Sequence, residues 1–161
     1  MRQLEPKVVS IGEANYYIFP FNAFYAANLS GEILALVSPI IAGLLPLFQD
    51  SDEKGESIVE QKIEDALPAL TTAFNNLSGD KIETLMKRLL INQKNVSVEY
   101  EEDGETHKER LTQDLVNELF CMDIGGMYRL AFEVIKLNYG SFFAKAPSQF
   151  GNATEILKIM K

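Results

Sequence analysis

The sequence predicts a mainly α fold, a compact helical domain carrying a small N-terminal β-hairpin and a second, polar β-hairpin near residues 95–110. Three observations lead there. Apolar residues recur at helical spacing in DKIETLMKRLL, Asp80 to Leu90, and again through the dense segment Phe120 to Phe143. Strand-like composition is confined to two short stretches, each bent around a glycine. A chain of 161 residues with 47% hydrophobic content has the apolar surface for one real core. A single domain is expected, ordered as an N-terminal hairpin (1–21), an apolar helical region (22–49), a linker (50–57), helices (58–93), a polar hairpin (94–111) and C-terminal helices (112–161).

The elements follow in order. Val8 to Ile11 and Ala14 to Phe19 are β-rich and separated by Gly12 and Glu13, which reads as a hairpin with glycine at its turn. Two strands alone are marginal in water, so this hairpin must rest on helices or pair with another edge. Asn22 offers a cap for the helix that begins AFYAANL. The segment EILALVSPIIAGLLPLF, ending at Phe48, falls short of the roughly 20 apolar residues of a spanning helix and carries Pro39, Gly43 and Pro46. It reads as protein interior, broken near Ser38 and Leu45, with part of its surface open to a subunit or partner. Asp50 to Ser57 is a polar break. Ser57 and Glu60 form a capping box ahead of Ile63 and Leu67, Pro68 ends or kinks that helix, and ALTTAFNNL is a further short piece. Asp80 and Glu83 repeat the box before the stripe Ile82, Leu85, Met86, Leu89 and Leu90. Asp103 and Gly104 suit a primed turn for the second hairpin.

In the last helix Met127, Leu130, Val134 and Leu137 form one stripe, with Tyr128, Phe132, Ile135, Tyr139 and Phe142 beside it. So wide an apolar arc marks a helix that neighbours contact on several sides. Arg129, Glu133 and Lys136 are the thin polar remainder, and Arg129 and Glu133 are spaced to pair at the surface.

Charge and reactive residues narrow the function. Lys+Arg 15 against Asp+Glu 23 gives a net charge of -8, a field that repels phosphate backbones and anionic headgroups, so neither nucleic acid nor membrane is an expected partner. Cys121 is the sole cysteine; it forbids an internal disulfide, fits a reducing cytoplasm and is expected to be a small buried hydrophobe between Phe120 and Met122. The start MRQLEPKVV lacks the apolar run of a secretory signal. DSDEKGESIVEQ places Asp50, Asp52 and Gly55 as a calcium loop would, but Lys54 and Gln61 stand where ligands belong. His107, the only histidine, lies in the polar hairpin, expected in solvent. Glu99, Glu101, Glu102, Asp103 and Glu105 crowd one turn and do not flank a cleft, and Gly125 and Gly126 are followed by Met127, not by a phosphate-binding GK[ST]. No catalytic residue, cofactor or metal is expected. The enzyme alternative rests on carboxylates brought together only by the fold, such as Asp114 and Glu118 on one helix face. A different small acidic helical adaptor or oligomeric assembly factor is the other alternative.

The order of a hairpin ending in YYIFPF, a long apolar region, a polar linker, DKIETLMKRLL, a polar hairpin, LTQDLVNELF and YRLAFEVIKLNYGSFF resembles the tail assembly chaperones of long-tailed bacteriophages and prophages. The resemblance covers most of the chain, and its most specific parts are Phe120 ahead of the last long helix and the NYGSFF close at Phe143. It implies a non-enzymatic protein of the host cytoplasm during virion assembly, absent from the mature particle. Such a protein binds the tape measure protein, helps recruit tail tube subunits, and in many members also exists in a longer frameshifted form. A homo-oligomer is compatible with it. Partner-binding candidates are Phe24, Tyr25, Leu36, Ile40, Leu44 and Phe48, together with Tyr128, Phe132, Tyr139, Phe142 and Phe143, these last five being expected in the core first.

Overall fold

A computed structural model describes residues 5–37, 68, 75 and 77–159, with the side chains of 36, 37 and 142–159 outside that description. The expected linker, the Ser57–Glu60 box, the helix through Leu67 and the ALTTAFNNL piece lie outside the described residues, as do Ile40, Leu44 and Phe48.

The mainly α expectation is corrected. Both hairpins form, β1 (Lys7–Ile11) with β2 (Ala14–Ile18) and β3 (Val96–Glu102) with β4 (Glu105–Arg110), but β2 also pairs antiparallel with β3, so they fuse into one four-stranded sheet of order β1-β2-β3-β4. Among the described residues four helices accompany it: α1 (Ala23–Val37), α2 (Gly79–Leu90), α3 (Gln113–Leu119) and α4 (Ile124–Ile159). The architecture is α+β, with helices on one face of an antiparallel sheet. The physical reason is the β2 to β3 register, which sets Tyr16 opposite Val98 and Ile18 opposite Val96. Those four side chains are buried on the same face as Val9, Ile11 and Ala14. The second hairpin is therefore rooted in the core through Val96 and Val98 of β3, while β4 is exposed along nearly its whole length.

The turns have the chemistry their residues demand. Gly12 adopts φ 60 as the first central residue of a two-residue loop, and Asp103 and Gly104 adopt φ 52 and 80, the two positive values of a type I′ turn. On the outer face Lys108 sits 3.5 Å from the Tyr17 ring centroid and reaches Glu99, while Tyr17 donates to the same carboxylate at 3.1 Å.

The helices are capped by short polar side chains. Asn22 Oδ1 accepts from the Tyr25 N–H at 2.9 Å, Thr112 Oγ1 from Leu115 at 3.3 Å, and Asp123 Oδ1 from Gly126 at 2.8 Å. The Asp80–Glu83 box does not form. The cap lies two residues earlier, at Ser78, and Glu83 accepts from Lys87 at 2.6 Å instead. α2 buries Leu85, Met86, Leu89 and Leu90 toward the sheet, and α4 contributes Leu130, Ala131, Phe132, Val134, Ile135 and Tyr139. Asn138 ties α4 to the start of α1 by accepting from the Phe21 N–H at 2.7 Å, and Tyr139 donates to the Ala26 carbonyl at 2.8 Å.

Two polar residues of α4 depart from expectation. Glu133 is only 3% exposed and pairs with Lys7 on β1, so the surface pair with Arg129 is replaced by a bond from helix to sheet. The sequence places Glu133 on the polar side of the helix; packing of β1 over that side buries it. Gly126 lets α4 approach β1, because a Cβ there would press on the Asp123 carboxylate and come within 3.1 Å of Ile11 Cγ2. Gly126→Ala is expected to cost about 1 kcal/mol through the displaced cap and the crowded contact. Gly125→Ala, whose Cβ meets only Asp123 Oδ1 at 3.7 Å, should cost nothing. Urea midpoints of the two variants check the contrast.

Candidate functional site

The corner between α3 and α4 builds the site. α3 ends at Leu119, and Phe120 turns into the core to stack on Tyr16, their centroids 5.6 Å apart. The chain then bends through Cys121, Met122 and Asp123 before α4 begins at Ile124. This corner stands across from α2, and a groove of about 550 Å³ lies between them. Ile82, Met86 and Leu90 form one wall, and Val116, Ile124 and Met127 the other, with Phe120 also in the lining.

The groove's polar groups are few. Glu83 and Lys87 on the α2 side are bonded to each other, and Gln113 and Asn117 stand on the α3 side. Ile124 in the groove's lining is 53% exposed. Cys121 lines the groove and is exposed, which corrects the expectation that it is buried. Phe120 takes the inward position, and the turn that follows points the next residue outward. Two of the chain's five methionines, Met86 and Met127, line the groove. Methionine is flexible and polarizable, so such a surface adapts to more than one apolar partner shape.

Titration in this region follows burial. The Tyr16 hydroxyl is pushed up to about 12 by burial and then by the charge of Asp123. Tyr139 rises to about 12 chiefly by burial. Lys136 is lowered by burial and by Lys7, with Glu133 opposing. Among the described residues no group of three or more His, Cys, Asp and Glu is placed to hold a metal. Asp114 and Glu118 are both exposed on α3, and His107 stacks on Tyr100 with centroids 5.6 Å apart.

The residues named from sequence as partner-binding fall in different places. Phe24 is 91% exposed on α1. Tyr25 is half-buried, edge-on to Phe21 at 5.1 Å, and donates to the Arg88 carbonyl at 2.8 Å. Tyr128 is half-buried and lines the groove, whereas Phe132 and Tyr139 are buried in the core. Leu36 belongs to α1, and Phe142 and Phe143 to α4, with side chains outside the described residues. Sequence reasoning did not single out Ile82, Met86 and Ile124 as lining of this kind. The only available signal was one methionine in each of the two helical stripes, Met86 and Met127.

The groove, strands β2 to β4 and the corner at Phe120 all lie within one matched region. A family model described as phage tail assembly chaperone protein, TAC, matches residues 12–151. The chain belongs to the phage tail assembly chaperone family. No curated protein and no solved structure matches it. As a tail assembly chaperone its partners are proteins of tail assembly. No helix among the described residues is long and apolar enough to cross a membrane.

Proposed function

We propose that this chaperone binds the tape measure protein of a long-tailed phage or prophage in the host cytoplasm and helps recruit tail tube subunits around it. It makes and breaks no bonds, and it leaves before the particle is mature. The observation that carries the reading is the family match over residues 12–151, which includes every residue lining the α2 to α3–α4 groove. A long helical protein with one apolar side aggregates unless that side is covered, and a groove between helices covers it in the helix-in-groove manner. The net charge of -8 keeps many copies soluble along one strand.

Co-expression tests this directly. The tape measure protein alone is expected in the insoluble fraction, and together with this chain it is expected to be soluble and to co-purify. A tape measure protein that stays insoluble, or that is soluble and elutes without the chaperone, contradicts the proposal.

A further inference from the structure

We infer that the free edge of β1 takes an extended segment of a protein partner, one that adds a strand to the sheet and carries carboxylates at alternate positions. The inference goes beyond the function proposed above and uses none of the residues that line the groove. Two features choose this occupant, a backbone template and the charge beside it.

The template follows from the sheet's hydrogen bonds. Bonded and non-bonded pairs alternate along an antiparallel ladder. Phe19, one step beyond β2, donates its N–H to the Asn95 carbonyl at 2.8 Å, so the odd-numbered residues of β2 bond β3 while Tyr16 and Ile18 bond β1. Their partners are Val9 and Lys7, which leaves the N–H and C=O of Val8 and Ser10 directed away from β2. No described residue pairs with that side. Val8 is 52% exposed and Ser10 is exposed, so a strand can reach it. The other edge, β4, carries Glu105, Lys108, Glu109 and Arg110, charges of the kind that deter pairing. On β1 the single charged side chain, Lys7, is drawn to Glu133.

The charge comes from α4. This helix runs along β1, with Gly126 against Ile11 and Glu133 bonded to Lys7. Arg129 and Leu130 straddle the line between those contacts. Leu130 is fully buried, on the same side as Met127, which faces α2 across the groove. Arg129 is therefore on the opposite flank, toward the free edge, and Lys136, about two turns further on, follows it. The charge of Lys7 acts on Lys136, which places the two near each other.

Lys7 and Glu133 neutralise each other. Neither Arg129 nor Lys136 has an ion-pair partner among the described residues, and Arg129 Nε is buried without a hydrogen-bond acceptor. The remaining carboxylates of this region stand elsewhere: Asp123 accepts from the Gly126 N–H, and Glu5 and Glu13 lie beyond the two ends of β1. Inward side chains of an added strand lie over this flank, where carboxylates meet Arg129 and Lys136. A second copy of β1 brings Lys7, Val9 and Ile11 to those inward positions, a cation and no carboxylate, so the chain is not its own partner there.

The test uses two synthetic peptides of about nine residues, enough to span β1, one alternating glutamate with threonine and one alternating lysine with threonine. Binding to the whole chain is followed by fluorescence anisotropy and by hydrogen exchange of the Val8 and Ser10 amides. The glutamate peptide is expected to bind, against the net charge of -8, and to slow exchange at both amides at least about tenfold. The lysine peptide is expected to do neither. Val8→Pro removes one outward N–H and spares the pairing with β2, so it should keep the thermal transition and weaken the glutamate peptide at least about tenfold, a loss of about 1.4 kcal/mol. Arg129→Gln should weaken the same peptide while leaving exchange of the free chain unchanged. Where Val8→Pro lowers the thermal transition, Arg129→Gln and the wild-type exchange decide.

Equal binding of the two peptides overturns the inference, as does binding of neither. Glutamate-peptide binding that leaves the Val8 and Ser10 amides exchanging as in the free chain also overturns it, since the peptide then sits elsewhere. A dimer that Val8→Pro converts to monomer overturns it too, because a second copy then occupies the edge.

Discussion

Tyr16→Ala is expected to cost about 3–5 kcal/mol, a large share of the roughly 5–15 kcal/mol that holds a domain folded, and to lower the thermal and urea midpoints markedly. Tyr16 is 1% exposed at the centre of the sheet, between Val9 on β1 and Val98 on β3. Its ring stacks on Phe120, the residue that sets the α3–α4 corner. Removing it opens a cavity where the two hairpins and the helical layer meet. Circular dichroism and a urea titration measure the loss; a cost under about 1 kcal/mol would mean the N-terminal hairpin merely leans on the helices.

The same tyrosine gives the fold a pH limit. An unfolded tyrosine ionises near 10, and Tyr16 resists to about 12 because burial and the Asp123 charge disfavour the phenolate. Its contribution is therefore fully present below pH 10 and is lost as pH rises from 10 to 12, since there the unfolded chain releases a proton that the folded one keeps. Tyr16→Phe should make alkaline unfolding less steep in that window.

Lys7→Met is expected to lower stability by about 2–3 kcal/mol, or about 5–10 °C in Tm. It strands the buried Glu133 carboxylate without its partner on β1. The value sits below that for a fully enclosed pair because Lys7 is one-third exposed. Replacing both residues, Lys7→Met with Glu133→Leu, should recover most of the loss, because the desolvation cost goes with the charge. Differential scanning calorimetry of the single and double variants reads this; a double variant as unstable as the single one would mean the site needs the ion pair itself.

Local chemistry was readable in the sequence, and long-range pairing was not. Gly12 and the Asp103–Gly104 pair mark both hairpin turns because only such residues take the positive φ required there. Asn22 likewise announces its helix. The fusion of the hairpins depends on Ile18 meeting Val96 across nearly 80 residues, a register that no local period encodes. The alternation of buried Val96 and Val98 with half-buried Ser97 and Glu99 was the available hint that β3 has a core face. Glu133 misleads for a related reason: its helix period marks it as polar surface, and the strand that covers it lies at the other end of the chain. Cys121 misleads because burial alternates abruptly at a helix corner, where Phe120 goes in and its neighbour goes out. The groove is the sum of such tertiary facts, since α2 and the corner at Cys121 are separated by the β3–β4 hairpin and meet only in the fold.

Hydrogen exchange on the complex with the tape measure protein is the most direct measurement of the central claim, that this chain works by covering an apolar helical flank with its groove. Binding should slow exchange in 79–91 and 113–128, the segments that line the groove, and leave the acidic tip of the β3–β4 hairpin unchanged. Protection confined to the sheet edges or the hairpin tip, with the groove segments exchanging as in the free chain, would contradict it.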